Sequence, residues 1–182
     1  MLFAPDTEVA LRSVVNLINS SANGDEHLST TEDLDRFLEA EGFTGSRTRD
    51  AAELASVHRL RGELAALWLA DEATAVDTVN RLLREANALP QLVKHDQWDW
   101  HLHVTRPDAP LAHRLAAEAA MGFLDLVRED DLDRLKICAA DDCQDVLVDL
   151  SRNSSKRYCD TGNCGNRTNV AAYRARKRKQ KA

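Results

Sequence analysis

Every cysteine of this 182-residue chain lies between positions 138 and 164, as two pairs of equal spacing: Cys138-x4-Cys143, fifteen intervening residues, then Cys159-x4-Cys164. Thiolates offered as two close pairs on two turns are how a short segment surrounds a tetrahedral zinc ion. Metal binding then supplies folding free energy to a piece of chain too small to build its own core. A spacing of x4 is at the wide end for such pairs, but its repetition restores the pattern. Asp141-Asp142 and Asp160-Thr161-Gly162-Asn163 put turn-forming residues inside both pairs, as metal knuckles need. No histidine follows His113, so Cys138, Cys143, Cys159 and Cys164 are expected as the complete ligand set of one structural Zn2+ per chain. Four thiolates leave no position open for water, which argues against catalytic zinc. An iron–sulfur cluster and four buried or redox-active thiols are the weaker alternatives.

No apolar run approaches the roughly 18–20 residues that cross a bilayer, and the N-terminus lacks a basic start followed by an apolar stretch. The chain is therefore expected in the cytoplasm with no membrane partner, where thiols stay reduced and free for metal. The net charge of −6 conceals a division. Residues up to Leu150 carry −15, while those from Ser151 onward carry +9, with ten Lys and Arg against one acid. An acidic body with a basic end presents two different surfaces, and the basic one suits a polyanion.

The body reads as helical. Apolar residues at helical spacing place helices over residues 8–20, from the Ser29-Thr30-Thr31 caps through Leu38, over 49–70, over 73–86 and over 111–127. Gly42 and Gly45, Asn87 with Pro90, and Pro107 with Pro110 punctuate them. Residues 91–104 alternate, Trp98, Trp100, Leu102 and Val104 on one side against Asp99, His101 and His103 on the other. With the turn-like His95-Asp96-Gln97 this predicts one β-hairpin, its tryptophans in the core. The expected fold class is mainly α with one small β-hairpin. The composition changes near residue 131, dividing the chain into a helical domain over 1–130, for sensing or dimerisation, and a zinc module over 131–182.

After the fourth cysteine, Gly165, Asn166 and Arg167 lead into a segment with no proline and no acid. It holds Arg167, Arg174, Arg176, Lys177, Arg178, Lys179 and Lys181. It reads as a helix, with Arg167, Arg174, Arg178 and Lys181 close to one stripe and Val170, Ala171 and Tyr173 expected to pack on the metal core. A helix held at one end by zinc and charged along its outer face can lie in a major groove or across phosphates. Lys156 and Arg157 add charge near its base. A solvated helix end would explain some of this charge, but seven bases without an acid exceed what helix stability asks for.

The string Cys159-x4-Cys164-Gly165-Asn166-Arg167, with Ser151-Arg152-Asn153 upstream, resembles the CGNR zinc-finger family. That resemblance covers about residues 133–178 and implies a treble-clef-like module usually read as DNA-binding. It also implies an N-terminal ABATE-type domain associated with stress-responsive transcription regulation. It again points to Cys138, Cys143, Cys159 and Cys164 as ligands, and Arg152, Asn153, Arg157, Asn166 and Arg167 match the finger's motif. Asn166 is expected to help cap the basic helix, and Arg167 to reach a phosphate or brace the fold. Family members often show Asp-aromatic-Val-Asn-Thr in the first helix, where this chain has Ser13-Val14-Val15-Asn16-Leu17.

The Trp98, Trp100, His101, His103 cluster lacks a third metal ligand and is expected to be an ordinary strand. No nucleophile elbow or phosphate loop appears, so no enzyme is expected. The leading expectation is a transcription regulator that binds DNA through the zinc module, with a homodimer and a small-molecule effector of the N-terminal domain left open. A protein-interaction adaptor, its zinc module stabilising a dimer and its basic tail on an acidic partner, is the alternative. RNA binding ranks last.

Overall fold

Six helices and two short hairpins account for the regular structure in a computed structural model that describes residues 3–95 and 98–179. Side chains are described for all of these except His95, Trp98, Asp99 and Lys179, so the core placement of Trp98 and the contacts of Lys179 and Lys181 lie outside the description. Helix α1 spans Pro5–Asn19, α2 Thr31–Ala40, α3 Ala51–Leu67, α4 Glu72–Glu85, α5 Leu111–Arg128 and α6 Cys164–Lys179. Each start has a local cause. Pro5 opens α1, where its missing N–H costs nothing. Thr30 and Asp33 form a reciprocal capping box on α2, and the Asp50 and Asp71 side chains accept from the first turns of α3 and α4.

The core is helix against helix. Leu11, Val14 and Leu17 of α1, Val57, Leu60 and Leu64 of α3, Val79 and Leu82 of α4 and Leu115, Ala119 and Phe123 of α5 form one buried cluster. Phe123 meets Trp68 edge to face at 5.6 Å. At Gly122 of α5 the Leu11 side chain comes so close that a Cβ would stand 3.1 Å from it. Among the described residues no helix is long and apolar enough to cross a membrane.

The expected hairpin is present. Strand β1 (Gln91–His95) pairs antiparallel with β2 (Trp98–His103), Leu92 facing Leu102 and Val93 facing His101. Its alternation does not bury every apolar side chain, however. Val104 is buried, but Trp100 is 66% exposed and Leu92 65%, which corrects the core placement of Trp100. The ribbon is a sheet of two strands only, and Trp100 lies on its outer side.

A second hairpin corrects the expectation of one. After a 3-10 turn at Leu132–Arg134, β3 (Leu135–Ile137) pairs antiparallel with β4 (Val146–Val148). All three residues of β4 are buried, because the strand is a wall between two cores: Val146 and Val148 belong to the helical cluster, and Leu147 to the cysteine cluster. The β4 backbone is met by side chains of the helical body. The buried Asn19 amide donates to the Val146 carbonyl at 2.9 Å and accepts the Val146 N–H at 2.8 Å, so it copies the two bonds of a neighbouring strand. The Trp68 indole N–H donates to the Leu147 carbonyl at 3.2 Å, and the Asn23 side chain bonds Gln144 and Asp145. The apolar packing that begins in α1 is therefore continuous with the zinc module's hairpin.

Candidate metal centre and nucleic-acid interface

The four cysteines come from three pieces of backbone. Cys138 follows β3, Cys143 sits on the turn that returns to β4, Cys159 lies in the loop before α6, and Cys164 is the first residue of α6. Local hydrogen bonds form the first knuckle: the Cys138 N–H donates to the Asp145 carbonyl at 2.8 Å and the Cys143 N–H to Ala140 at 3.1 Å. The second pair is brought to it by the Ala139 N–H on the Arg157 carbonyl, 2.8 Å, and the Cys159 N–H on the Cys138 sulfur, 3.4 Å.

All four sulfurs lie within 4.8 Å of one another, and none is in a disulfide. A zinc ion with bonds of about 2.3 Å requires tetrahedral S···S edges of about 3.8 Å. The Cys143–Cys159 and Cys159–Cys164 distances are 3.7 and 3.6 Å, so the donor set fits zinc with little adjustment. Cys138, Cys159 and Cys164 are buried with Leu147 and Ala140 around them, and Cys143 is partly open. This apolar shell pushes the Cys143 thiol up to about 11 and raises Cys159 further. Cys164 goes the other way. The Arg167 guanidinium donates to its sulfur at 3.3 Å and holds its pKa below the usual thiol value, and its position at a helix N-terminus favours a thiolate as well.

Arg167 thus has a role that its place in the sequence left open between phosphate contact and brace. Its guanidinium also grips Asp142 of the first knuckle with two parallel bonds, 2.8 and 3.1 Å. One side chain therefore ties α6 to the opposite knuckle and touches a ligand between them, as a metal site's supporting contacts commonly do. Gly165 admits the Tyr158 ring, since a Cβ there would stand 3.3 Å from Tyr158 Cδ2. Asn166 is the third residue of α6, inside its first turn. The residue before the helix is Asn163, in the left-handed region at φ 51°, and its carbonyl accepts the Arg167 N–H at 3.1 Å.

The loop holding Arg152 and Asn153 is organised by a residue that the sequence reading did not single out. Asp149 is fully buried and accepts from the Lys136 ammonium (2.7 Å), the Ser151 N–H (2.9 Å) and hydroxyl (2.6 Å), and the Lys156 N–H (2.6 Å). Burial alone would raise its pKa, but the bonds from Lys136, Ser151 and Lys156 outweigh that and hold it down to about 2. The signal available in sequence was only an Asp two residues before a Ser, the spacing of an Asx turn. With Asp149 as anchor, Arg152 and Asn153 sit exposed at the loop tip.

Helix α6 leaves the module after one turn. From Asn169 to Arg178 every residue is exposed, including Val170 at 38% and Tyr173 at 57%. The expected packing of Val170, Ala171 and Tyr173 on the metal core is therefore corrected: the core is filled by Leu147, Ala140 and Tyr158 before the helix reaches those positions. At about 1.5 Å per residue, the sixteen residues of α6 make a rod of about 24 Å. It carries Arg174, Arg176, Lys177 and Arg178 with no ion pair among the described residues. The same holds for Arg152 and for Arg157, whose guanidinium lies 5.9 Å from the Tyr158 ring centroid, whereas Lys156 is paired with Asp160 at 2.6 Å.

Comparison with known proteins agrees with this anatomy. A family model described as "CGNR zinc finger" matches residues 134–177, and one described as "Putative stress-induced transcription regulator", the ABATE family, matches residues 11–130, more than half of the chain. No curated protein matches the chain.

Proposed function

From the premise that this chain belongs to the ABATE family and carries a CGNR zinc finger, we propose that it is a transcription regulator that binds duplex DNA through α6. The observation that carries this reading is the free-standing helix: a rod anchored at its N-terminus by a closed metal site, exposed on every side from Asn169 to Arg178, and basic without a single acid. A helix of this length has little reason to hold together alone in water, so its sequence suits a surface that neutralises it. Arg174 and Arg178 share one stripe, Lys177 flanks it and Arg176 lies on the opposite face, so charge runs around most of the helix. A helix seated in a major groove could thus reach phosphates of both strands. Arg152 and Arg157 extend the positive surface around the base of the helix, and Lys179 and Lys181 continue it in sequence. The finger takes residues 131–182 in this proposal, and residues 1–130 serve sensing or dimerisation. The role is regulatory rather than catalytic.

Each phosphate contact contributes about 0.7 in log K at about 0.15 M salt. Joint replacement of Arg174, Arg176, Lys177 and Arg178 by Ala should then weaken binding to random duplex DNA by as much as about 1000-fold. Fluorescence anisotropy with a labelled duplex measures this directly, and binding that survives the four substitutions defeats the proposal. The exposed Val170 and Tyr173 and the acidic body favour a second reading, an adaptor whose basic helix docks on an acidic protein surface. That reading expects only weak duplex binding at physiological salt.

A further inference from the structure

On the helical body, four segments line a half-open cavity of about 220 Å3: one face of α1, the loop over residues 41–45, the end of β2 and the first half of α5. That is the space of roughly seven waters, or of one small organic molecule. Val9 and Ala10 of α1, Phe43 of the loop and Leu102 of β2 give it apolar walls, with polar groups few and specifically placed, as small-molecule sites have.

The charges in the lining are distinguished by which are already engaged. Arg114 is buried and spends its donors on the loop: it bonds the Ala109 carbonyl at 3.1 Å, the Ser46 carbonyl at 2.5 Å and the Thr44 carbonyl. Gly45, at φ 102°, lacks the Cβ that would collide with this guanidinium. Arg114 is therefore a structural clamp and has little left for an anion. Asp6 accepts the N–H groups of Thr7 (3.0 Å) and Leu102 (3.4 Å), and Glu41 accepts Asn16 at 2.8 Å. Glu118, one turn beyond Arg114 on α5, has no hydrogen bond and no ion pair among the described residues. Burial first, and the nearby Asp6 carboxylate second, push its carboxyl up to about 7. The remaining titratable groups of the lining, His101 and His103, meet edge to face with ring centroids 5.0 Å apart. Among the described residues only the four cysteines bring three or more donor atoms close enough together to chelate a metal.

We propose that this cavity binds a small organic cation, a primary amine on a short apolar chain or ring, with its ammonium at Glu118 and Asp6 and its apolar part against Val9, Ala10 and Phe43. The carboxylates outnumber the one guanidinium, which is consumed by backbone carbonyls, so the field in the cavity favours a positive guest. The unpartnered carboxyl gives that guest a place to bond. An ammonium there converts Glu118 to its charged form and releases its proton.

Calorimetric titration of the full zinc-loaded chain with phenethylamine, phenethyl alcohol and phenylacetate tests charge at nearly constant shape. The amine should bind about tenfold or more tighter than the alcohol, with phenylacetate weaker still. Its enthalpy should vary with buffer ionisation, reporting release of about half a proton near pH 7. Glu118→Gln should lower amine affinity about tenfold and abolish that proton release while leaving zinc content unchanged and melting no lower, since the carboxyl has no partner to lose and its burial disfavours the fold near neutral pH. Should that variant not fold, Asp6→Asn reads the same loss of affinity. Equal binding of amine and alcohol, amine affinity unaltered in Glu118→Gln, or no heat from phenethylamine or from the slimmer isopentylamine up to millimolar concentration overturns the proposal.

Discussion

Asn19→Leu cuts the bond between the helical body and the zinc module with almost no change in side-chain shape. The Asn19 amide satisfies both the N–H and the C=O of Val146 at 2.8 and 2.9 Å, in a place where Asn19 and all of β4 are buried. Leucine leaves two buried backbone groups without a partner, each costing about 1–3 kcal/mol, so a loss of about 3 kcal/mol is expected in total. For a chain of this size that lowers Tm by about 6–12 °C. Two probes read the two sides of β4: tryptophan fluorescence, through the buried Trp68 bonded to the Leu147 carbonyl, and the thiolate charge-transfer absorption of the cobalt-substituted site. Because Val146 and Val148 pack in one core and Leu147 in the other, both signals should shift together and melt as one transition. A change below about 0.5 kcal/mol, or a cobalt signal that melts apart from the tryptophan signal, would refute the shared wall.

Metal analysis should return one zinc per chain. Affinity should weaken as pH falls, because thiols raised by burial, Cys143 to about 11 and Cys159 beyond it, must release protons to bind metal; chelator competition across pH checks the sign. Arg167→Ala removes the bonds to Asp142 and to the Cys164 sulfur, and should speed zinc release to a chelator while leaving the helical signal of the body intact. Asp149 has a folded pKa near 2, below its unfolded value, so its contribution to stability is present above about pH 4 and is lost as pH falls toward 2. Asp149→Asn should cost about 2–3 kcal/mol at neutral pH and flatten that acid limb in urea titrations.

What could be read from the sequence was what repeats or alternates. The cysteine spacing gave the metal centre, and the apolar period near 3.6 gave five body helices, because each buries a stripe against its neighbours. The β3–β4 hairpin escaped because three-residue strands are too short to show alternation. Val146-Leu147-Val148 is apolar throughout, since both of its faces are covered. Alternation places Trp100 inward, and residue type Val170 and Tyr173, but whether a large side chain is covered depends on which elements lie opposite, and all three stand exposed. The joints made by Asn19, Trp68 and Arg167 are polar contacts between residues 127, 79 and 25 positions apart, with no local signature. Those of Asn19 and Trp68 set this finger into the body rather than hanging it from it, and that of Arg167 ties the two knuckles together.

The claim that α6 reads as a DNA-binding helix is tested most directly by the slope of log K against log salt on random duplex DNA. Arg152, Arg157, Arg174, Arg176, Lys177 and Arg178 stand exposed without ion pairs among the described residues. Contacts from four to six of them give a slope of about −4 to −5, and the Ala replacement of the four on α6 should make it shallower by up to about 3.6. A slope near zero, or one that the replacement leaves unchanged, would contradict the account.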